Sequence, residues 1–203
     1  QQRTAELQVI NSMQQALATQ LDIEAIYELI GDKTRDIFDA QAVAIYSYDQ
    51  AARLSTPRYV IERGQRFYDD PYPIRDGSIA DHMIQTRQLL LINENAAQRL
   101  GEFGVRIVPG TDAPKSMLLV PLIARNEVTG SISLQNLDRE HAFSDSDVRL
   151  FTTLASSMSV ALENARLFDE TNRLLAETQQ RTAELQVINS MQQALATQLD
   201  IEA

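Results

Sequence analysis

The chain has 203 residues, of which 44% are apolar and 23% charged, and it carries a formal net charge of −10. This composition is typical of an ordered domain with a core of useful size, and an acidic chain without a Lys/Arg cluster is a poor partner for nucleic acid. Cysteine is absent, which excludes disulfides, thiolate nucleophiles and Cys-ligated zinc.

The sequence contains an exact internal repeat. Residues 1–25 and 179–203 have the same letters, QQRTAELQVINSMQQALATQLDIEA, with a period of 178 residues. One period fits an ordinary domain plus a connecting helix. We therefore expect a tandem array, divided here into an N-terminal connector helix at 1–21, a domain at 22–168, and a C-terminal connector helix at 169–203 that begins the next repeat.

The first elements are helical. Spacings of three and four residues predict a coiled-coil seam, with polar Gln14 in its middle, at Leu7, Ile10, Leu17 and Leu21. Asp22 is a suitable N-cap for a second helix, and the sequence leaves open whether the helix breaks there or runs through. Gly31 costs helix stability, which predicts a close approach to a neighbouring element.

About six strands and two short helices follow. An alternating run at 42–48 predicts a strand, and a broken run with Pro57 predicts an edge strand and its partner within 53–67, before a loop at 69–73. Ser78 is the expected N-cap of a helix at 79–86, and a second short helix is expected at 95–103. Further strands are predicted at 89–92, 116–124 and 131–137, with a hairpin turn at 126–130. From Ser144 the chain is predicted to be helical to its end.

This order of elements resembles the GAF family. The resemblance is carried by GSIADHMIQTRQLLLINEN at 77–95 and by the segment from KSMLLVPLIA to VALENARLF at 115–168, and it covers about 22–168. It implies an α+β fold with a central antiparallel sheet of about six strands, short helices on one face, and long N- and C-terminal helices. The flanks resemble connectors of multi-domain bacterial sensors such as multi-GAF histidine kinases, in a two-component system.

Several ligands of the family are disfavoured. Members that bind cyclic nucleotides carry an Asn-Lys, Phe, Asp-Glu motif; Asn136, Phe143 and Asp147 match it, but Leu137 and Val148 replace the Lys and the Glu. The matching residues also have a structural interpretation, as packing and capping at a helix start. Relatives that attach bilins or reduce free methionine sulfoxide use cysteine. The cofactor is therefore unknown, and a bilin thioether is excluded.

The resemblance also implies a ligand cavity between the sheet and the short helices. The helix start at Gly77 and Ser78 offers N–H groups and positive potential to an anion, which Arg75 could approach. An equally valid interpretation is that the apolar members only fill a core. The candidate pocket residues are Tyr59, Phe67, Tyr72, Arg75, Gly77, Ser78, Ile79, His82, Thr86, Met117, Ser133 and Gln135.

The connector helices predict a parallel homodimer. The apolar stripe of the last helix changes phase across a polar stretch at 176–184, and beyond Phe168 the helix outruns any domain to pack on. The predicted dimer residues are Leu167, Leu174, Leu185, Ile188 and Leu195.

We therefore expect a non-catalytic sensory module that binds a small ligand and signals through paired connector helices. The alternative is a ligand-free module that dimerises and sets spacing in the array. An enzyme is disfavoured because no nucleophile–base constellation is visible, and no metal site is expected. No signal peptide or apolar run of about 20 residues is present, so we expect a cytoplasmic protein without direct membrane contact.

Overall fold

A computed structural model describes residues 2–38, 40–105 and 112–201 of the chain. Two compact units are distinguished, Gln1–Glu163 and Asn164–Ala203. The helices are α1 (Gln2–Ala18), α2 (Ile23–Ile37), α3 (Ile79–Thr86), α4 (Ala96–Glu102) and α5 (Asp145–Ile201). The strands are β1 (Ala42–Asp49), β2 (Leu54–Glu62), β3 (Gln65–Arg66), β4 (Tyr72–Pro73), β5 (Leu90–Ile92), β6 (Ser116–Ala124) and β7 (Glu127–Asn136).

The strands form one antiparallel sheet in the order β3-β2-β1-β7-β6-β5, with β4 paired to the other end of β2. The predicted α+β class and the antiparallel sheet are thus confirmed. One difference is that the segment expected as a loop at 69–73 contains β4. Its two residues pair with the start of β2, opposite Leu54 and Ser55, which gives that backbone a partner.

One face of the sheet is covered by α2 and the first part of α5. Alternation along the strands places Ile45, Ile132 and Val120 in register on this face, and all three side chains are buried. Phe38 at the end of α2 meets Phe151 of α5 edge to face, with ring centroids 5.4 Å apart. This apolar layer anchors both helices to the sheet.

Gly31 lies where α2 crosses Tyr59 of β2. A Cβ atom at this position would be 2.4 Å from the Tyr59 ring, so only glycine lets the helix approach this closely. The Tyr59 hydroxyl donates to Asp32 Oδ1 at 2.8 Å, and the Arg66 guanidinium lies 3.7 Å from the ring centroid. The expectation of a close approach at Gly31 is confirmed, and the partner is an aromatic ring.

The hairpin between β6 and β7 is tighter than expected. Only Arg125 and Asn126 form the turn, with φ values of 50° and 64°, as a two-residue hairpin turn of the right twist requires. Gly130, predicted as part of the turn, instead lies inside β7, where an added Cβ would be 2.2 Å from the Tyr46 carbonyl oxygen of β1. Glycine at position 130 therefore lets β7 pack closely against β1, and the turn itself is formed by Arg125 and Asn126.

The two copies of the repeated sequence have different backbones. In the first, α1 ends at Ala18, Asp22 is extended, and its carboxylate accepts a 2.8 Å hydrogen bond from the Ala25 N–H at the start of α2. In the second, the corresponding residues, 197–200, are helical and belong to α5. The same sequence therefore breaks the helix before Asp22 in the first copy and continues it through Asp200 in the second.

Candidate ligand site and connector helices

The other face of the sheet, toward α3 and α4, holds an apolar cluster. Met83 of α3 and Leu100 of α4 pack in one buried cluster with side chains of β5 and β6. Partly buried Tyr48, Ile79, Ile84 and Leu90 lie around it. The buried members of this apolar cluster are Met83, Ile92, Ala96, Leu100, Met117, Leu119 and Val128.

The start of α3 is capped by the chain's own groups. Ser78 Oγ accepts from the Asp81 N–H at 3.3 Å, and the buried Asp81 carboxylate accepts from the Gly77 N–H at 2.9 Å and from Gln85 Nε2 at 2.8 Å. Two of the N–H groups expected to face an anion are therefore already bonded. A negative charge also occupies the place where the ligand charge was expected.

The cation beside this helix start is Arg53, which precedes β2. Its Nη2 lies 2.7 Å from Asp76 and 3.6 Å from Asp81, and it donates to the Ile74 carbonyl oxygen at 3.1 Å. Arg75, the predicted cation, has an exposed side chain. Sequence reasoning missed Arg53 and Asp81 because they lie 28 residues apart and only the fold brings them together.

Three tyrosines border the same region. Tyr46 and Tyr72 pack edge to face with centroids 6.3 Å apart, and the Tyr48 hydroxyl is 2.7 Å from Ser131 Oγ. Burial raises the pKa of Tyr46 and of Tyr48 well above the ordinary value, and the neighbouring Tyr72 adds to the shift at Tyr46. These hydroxyls are therefore neutral polar groups at physiological pH. Residues two apart in a strand lie on the same face of the sheet, so the run AVAIYSY could have predicted that Tyr46 and Tyr48 share a face.

Part of the predicted pocket set comes together on this side of the sheet. Ile79 and Met117 belong to the apolar cluster or its edge, while Gly77 and Ser78 open α3 above it. Register pairs Gln135 with Met117 and Ser133 with Leu119, which places both polar residues on this face. Ser133 is buried and directs Oγ to the Ala44 carbonyl oxygen at 3.5 Å.

Other predicted residues lie at the margin. His82 packs against Phe103 with ring centroids 5.1 Å apart, and Thr86, on an exposed turn of α3, donates to the His82 carbonyl oxygen at 2.8 Å. Tyr72 is partly exposed in β4, and Phe67 follows β3, where its N–H donates to Val60. These side chains do not converge on one centre.

Tyr59 is separated from the set. Its ring lies against α2 on the opposite face of the sheet, because Tyr59 is in register with Ile45 and not with the Tyr46 face. The placement of Tyr59 beside a pocket under α3 therefore needs correction. The register shifts between Ile45 and Tyr46 because Arg58 is the extra residue of a β-bulge in β2. The bulge changes which β2 side chains share a face, and strict alternation in the sequence cannot reveal it.

The three residues that match the cyclic-nucleotide motif have local structural partners. Asn136 Oδ1 accepts from the N–H groups of Asp138 and Arg139 at 3.1 and 2.9 Å, and Phe143 is buried. Asp147 Oδ2 accepts from the Ser144 N–H at 2.8 Å, and Ser144 Oγ accepts from the Asp147 N–H at 3.3 Å. This reciprocal pair is a capping box at the start of α5, which accounts for Asp147 without a ligand.

Beyond Glu163, α5 carries an apolar stripe that faces solvent. Leu167, Leu174 and Ile188 are spaced by multiples of seven residues, with Arg181 at the intervening position, and Leu174 is 49% exposed. Leu185 is also exposed, while the Leu195 side chain lies outside the described residues. The exposed stripe keeps one register through 176–184. The predicted change of phase rests on a stripe that starts with the buried Leu154, Met158 and Ala161 and continues at the exposed Phe168 and Leu175, one position after Leu167 and Leu174.

No group of three His, Cys, Asp or Glu that could hold a metal ion is found among the described residues. Within the same ranges no helix is both long and apolar enough to cross a membrane.

A two-sided antiparallel sheet, flanked by short helices and followed by a long exposed helix, defines an α+β domain joined to a helical connector. The family model described as GAF domain matches residues 20–163, and the chain belongs to this family, whose members are regulatory or sensory modules of signalling proteins. The formate hydrogenlyase transcriptional activator of Salmonella typhimurium is 19% identical over an alignment of 175 residues, and the match covers 82% of this chain. The chain spans 24% of that protein's length.

Solved structures show the same fold. The GAF domain of a phosphoenolpyruvate-protein phosphotransferase from Coxiella burnetii has 15% identity and a TM-score of 0.66, over 81% of this chain and 96% of that one. Residues 122 to 287 of a methyl-accepting chemotaxis protein have 18% identity and a TM-score of 0.63, over 77% of this chain and 98% of theirs. At these identities the likeness establishes the fold.

Proposed function

We propose that this GAF domain is a non-catalytic regulatory module whose output is the parallel pairing of α5 with α5 of a second copy. The observation that carries the proposal is the exposed stripe at Leu167, Leu174, Leu185 and Ile188. Leu167, Leu174 and Ile188 lie at multiples of seven residues and Leu185 lies three residues before Ile188, and apolar side chains in such a heptad pattern are buried when two helices pair.

Polar features of the same helix fit a solvent-facing flank. Arg166 pairs with Glu170 at 3.1 Å and Arg173 with Glu177 at 3.3 Å, each over four residues. Such pairs add only about 0.3–0.5 kcal/mol each to a helix, so they do not account for an isolated rod of this length. Burial of the stripe against a second helix supplies the missing stabilisation.

The pairing is tested by sedimentation equilibrium of the full chain at micromolar concentration. We expect a dimer, a monomer for Leu174→Glu, and a dimer for the matched control Ala176→Glu. Ala176 lies about 160° around the helix from Leu174, since each residue turns about 100°, so it adds the same charge away from the stripe. A monomeric parent chain, or a dimer that persists in Leu174→Glu, would rule out this pairing.

The input of the module in this proposal is a small ligand bound where β1, β4 and the start of α3 meet. Support comes from neutral tyrosine hydroxyls, the partly exposed ring of Tyr72 and the half-exposed guanidinium of Arg53. Few polar groups beside an apolar wall are typical of small-molecule sites. Ligand binding would shift the paired helices between two states, with the polar stretch at 176–184 passing the change onward.

A second candidate function, a ligand-free dimerising spacer, is favoured by one observation. The buried residues under α3 and α4 form one apolar cluster, as the core of a purely structural domain would.

Native mass spectrometry of the chain as isolated distinguishes the two. A sensor retains a mass that is released on denaturation; Tyr72→Ala abolishes the retention, and Tyr68→Ala, whose ring is 86% exposed, preserves it. A chain that carries no added mass favours the spacer, whereas retention that survives Tyr72→Ala rules out this ligand site.

A further inference from the structure

One sequence occupies two environments in this protein. Met13 and Met191 are corresponding residues of the repeat, yet Met13 is 3% exposed and Met191 is 63% exposed. Their sequence neighbours are identical over 25 residues, so the difference lies entirely in what surrounds each copy.

The first copy shows how the repeat packs on a GAF domain. Met13 and Leu17 are buried within the unit of residues 1–163, and Ile10 is half-buried. Gln14 between them places Nε2 3.4 Å from Ser157 Oγ of α5, a polar contact at the edge of the buried face. We call the surface of the domain that buries Met13 and Leu17 the α1 seat.

The second copy carries the same side chains. Ile188 and Met191 correspond to Ile10 and Met13, and both are exposed on α5. Burial of an apolar side chain is favourable, so a domain of this sequence offers a suitable site to the exposed copy.

We propose that the α1 seat is a docking surface for the C-terminal connector of a second copy of this chain. The two segments have the same sequence, so residues 179–203 can make every contact that residues 1–25 make. This identity is the reason for naming the connector of a second copy as the docked segment. In a chain with its own α1 in place the seat is filled, and the local attachment of α1 gives it a high effective concentration. Docking of the second copy therefore requires that α1 leaves.

Docking and helix pairing use one face of the connector. Ile188 is in the exposed stripe of the proposed dimer, and its counterpart Ile10 is half-buried three residues before the buried Met13. A connector that docks cannot pair at these positions, and this consequence rests on the proposed pairing of α5. Whether α1 is seated would then decide if the connector of a neighbouring copy is free to pair.

Fluorescence anisotropy with a labelled peptide of residues 179–203 tests the docking. Both receiver chains carry Met191→Glu, so their own connector neither docks nor pairs at this position. We expect the peptide to bind the Met13→Glu, Met191→Glu chain at least about tenfold more tightly than the chain with Met191→Glu alone, because loosening α1 vacates the seat.

A peptide carrying Met191→Glu is the matched control and should bind neither chain. Equal affinity for the two receivers, or equal binding of the two peptides, would overturn the docking. The tyrosines all lie between residues 27 and 72, so their fluorescence verifies that each receiver domain is folded. If Met13→Glu unfolds it, Leu17→Ala replaces it in the same comparison. Leu174 lies outside the repeat, so the docking test and the dimer test with Leu174→Glu are independent. A negative result in either one leaves the other proposal standing.

Discussion

Substitution of Gly31 by alanine tests how strictly the packing of α2 on the sheet is set. An alanine Cβ would lie 2.4 Å from Tyr59 Cε2 and 2.5 Å from Cδ2 and Cγ. Non-bonded carbons prefer about 3.5–4.0 Å, so the ring or the helix must retreat by about 1 Å. The ring is held by the hydrogen bond to Asp32 and by Arg66, which leaves no free rotation to absorb the contact.

The magnitude follows from two opposing effects. Overpacking costs about 1–3 kcal/mol, while alanine gains up to about 1 kcal/mol over glycine inside a helix. We expect a net loss of about 1–2 kcal/mol for Gly31→Ala. Gly101→Ala in α4 is the control, because no atom lies within 4 Å of its added Cβ, and it should gain about 0.5–1 kcal/mol.

Urea unfolding followed by tyrosine fluorescence measures both variants, and it reports on the domain alone because every tyrosine lies between residues 27 and 72. In a Tyr59→Leu background the cost of Gly31→Ala should shrink, since the two sites are coupled through the ring. If Gly31→Ala is as stable as the parent, or if its cost is unchanged in the Tyr59→Leu background, the close approach does not constrain the fold.

Three further predictions use urea unfolding, and the alkaline series is followed by circular dichroism because ionised tyrosine hardly fluoresces. Asp22→Ala should cost about 1 kcal/mol because it removes the N-cap of α2, whereas Asp200→Ala in the other copy should leave the domain transition unchanged. Asp81→Asn should cost about 1–3 kcal/mol because a buried, multiply bonded carboxylate is lost, whereas Asp76→Asn at the exposed end of the Arg53 pair should cost under about 0.5 kcal/mol. Burial and the Asp32 hydrogen bond raise the pKa of Tyr59 to about 12. The stabilisation from a neutral Tyr59 is thus complete below about pH 10 and lost as pH rises through about 12, and this alkaline loss should be shallower in Tyr59→Phe.

Local patterns were sufficient for most elements. Ser78 and Asp22 are caps in the structure because a short polar side chain before an apolar helical run can reach free N–H groups of the first turn. The glycine at position 31 predicted a close approach for the same kind of local reason. Long-range proximity is different: nothing near Arg53 in sequence indicates Asp81, and the β-bulge at Arg58 moves Tyr59 to the face of α2.

The repeated segment separates what sequence determines from what tertiary structure decides. Its letters determine a helix with one apolar face, because period and propensity are properties of the chain alone. They do not determine whether that helix ends at Ala18 or continues, nor whether Met13 or Met191 is buried. The first copy breaks because Asp22 caps a helix that must pack on the sheet, and packing energy depends on which surface is within reach. The second copy is helical throughout its described residues, and its Met191 is exposed.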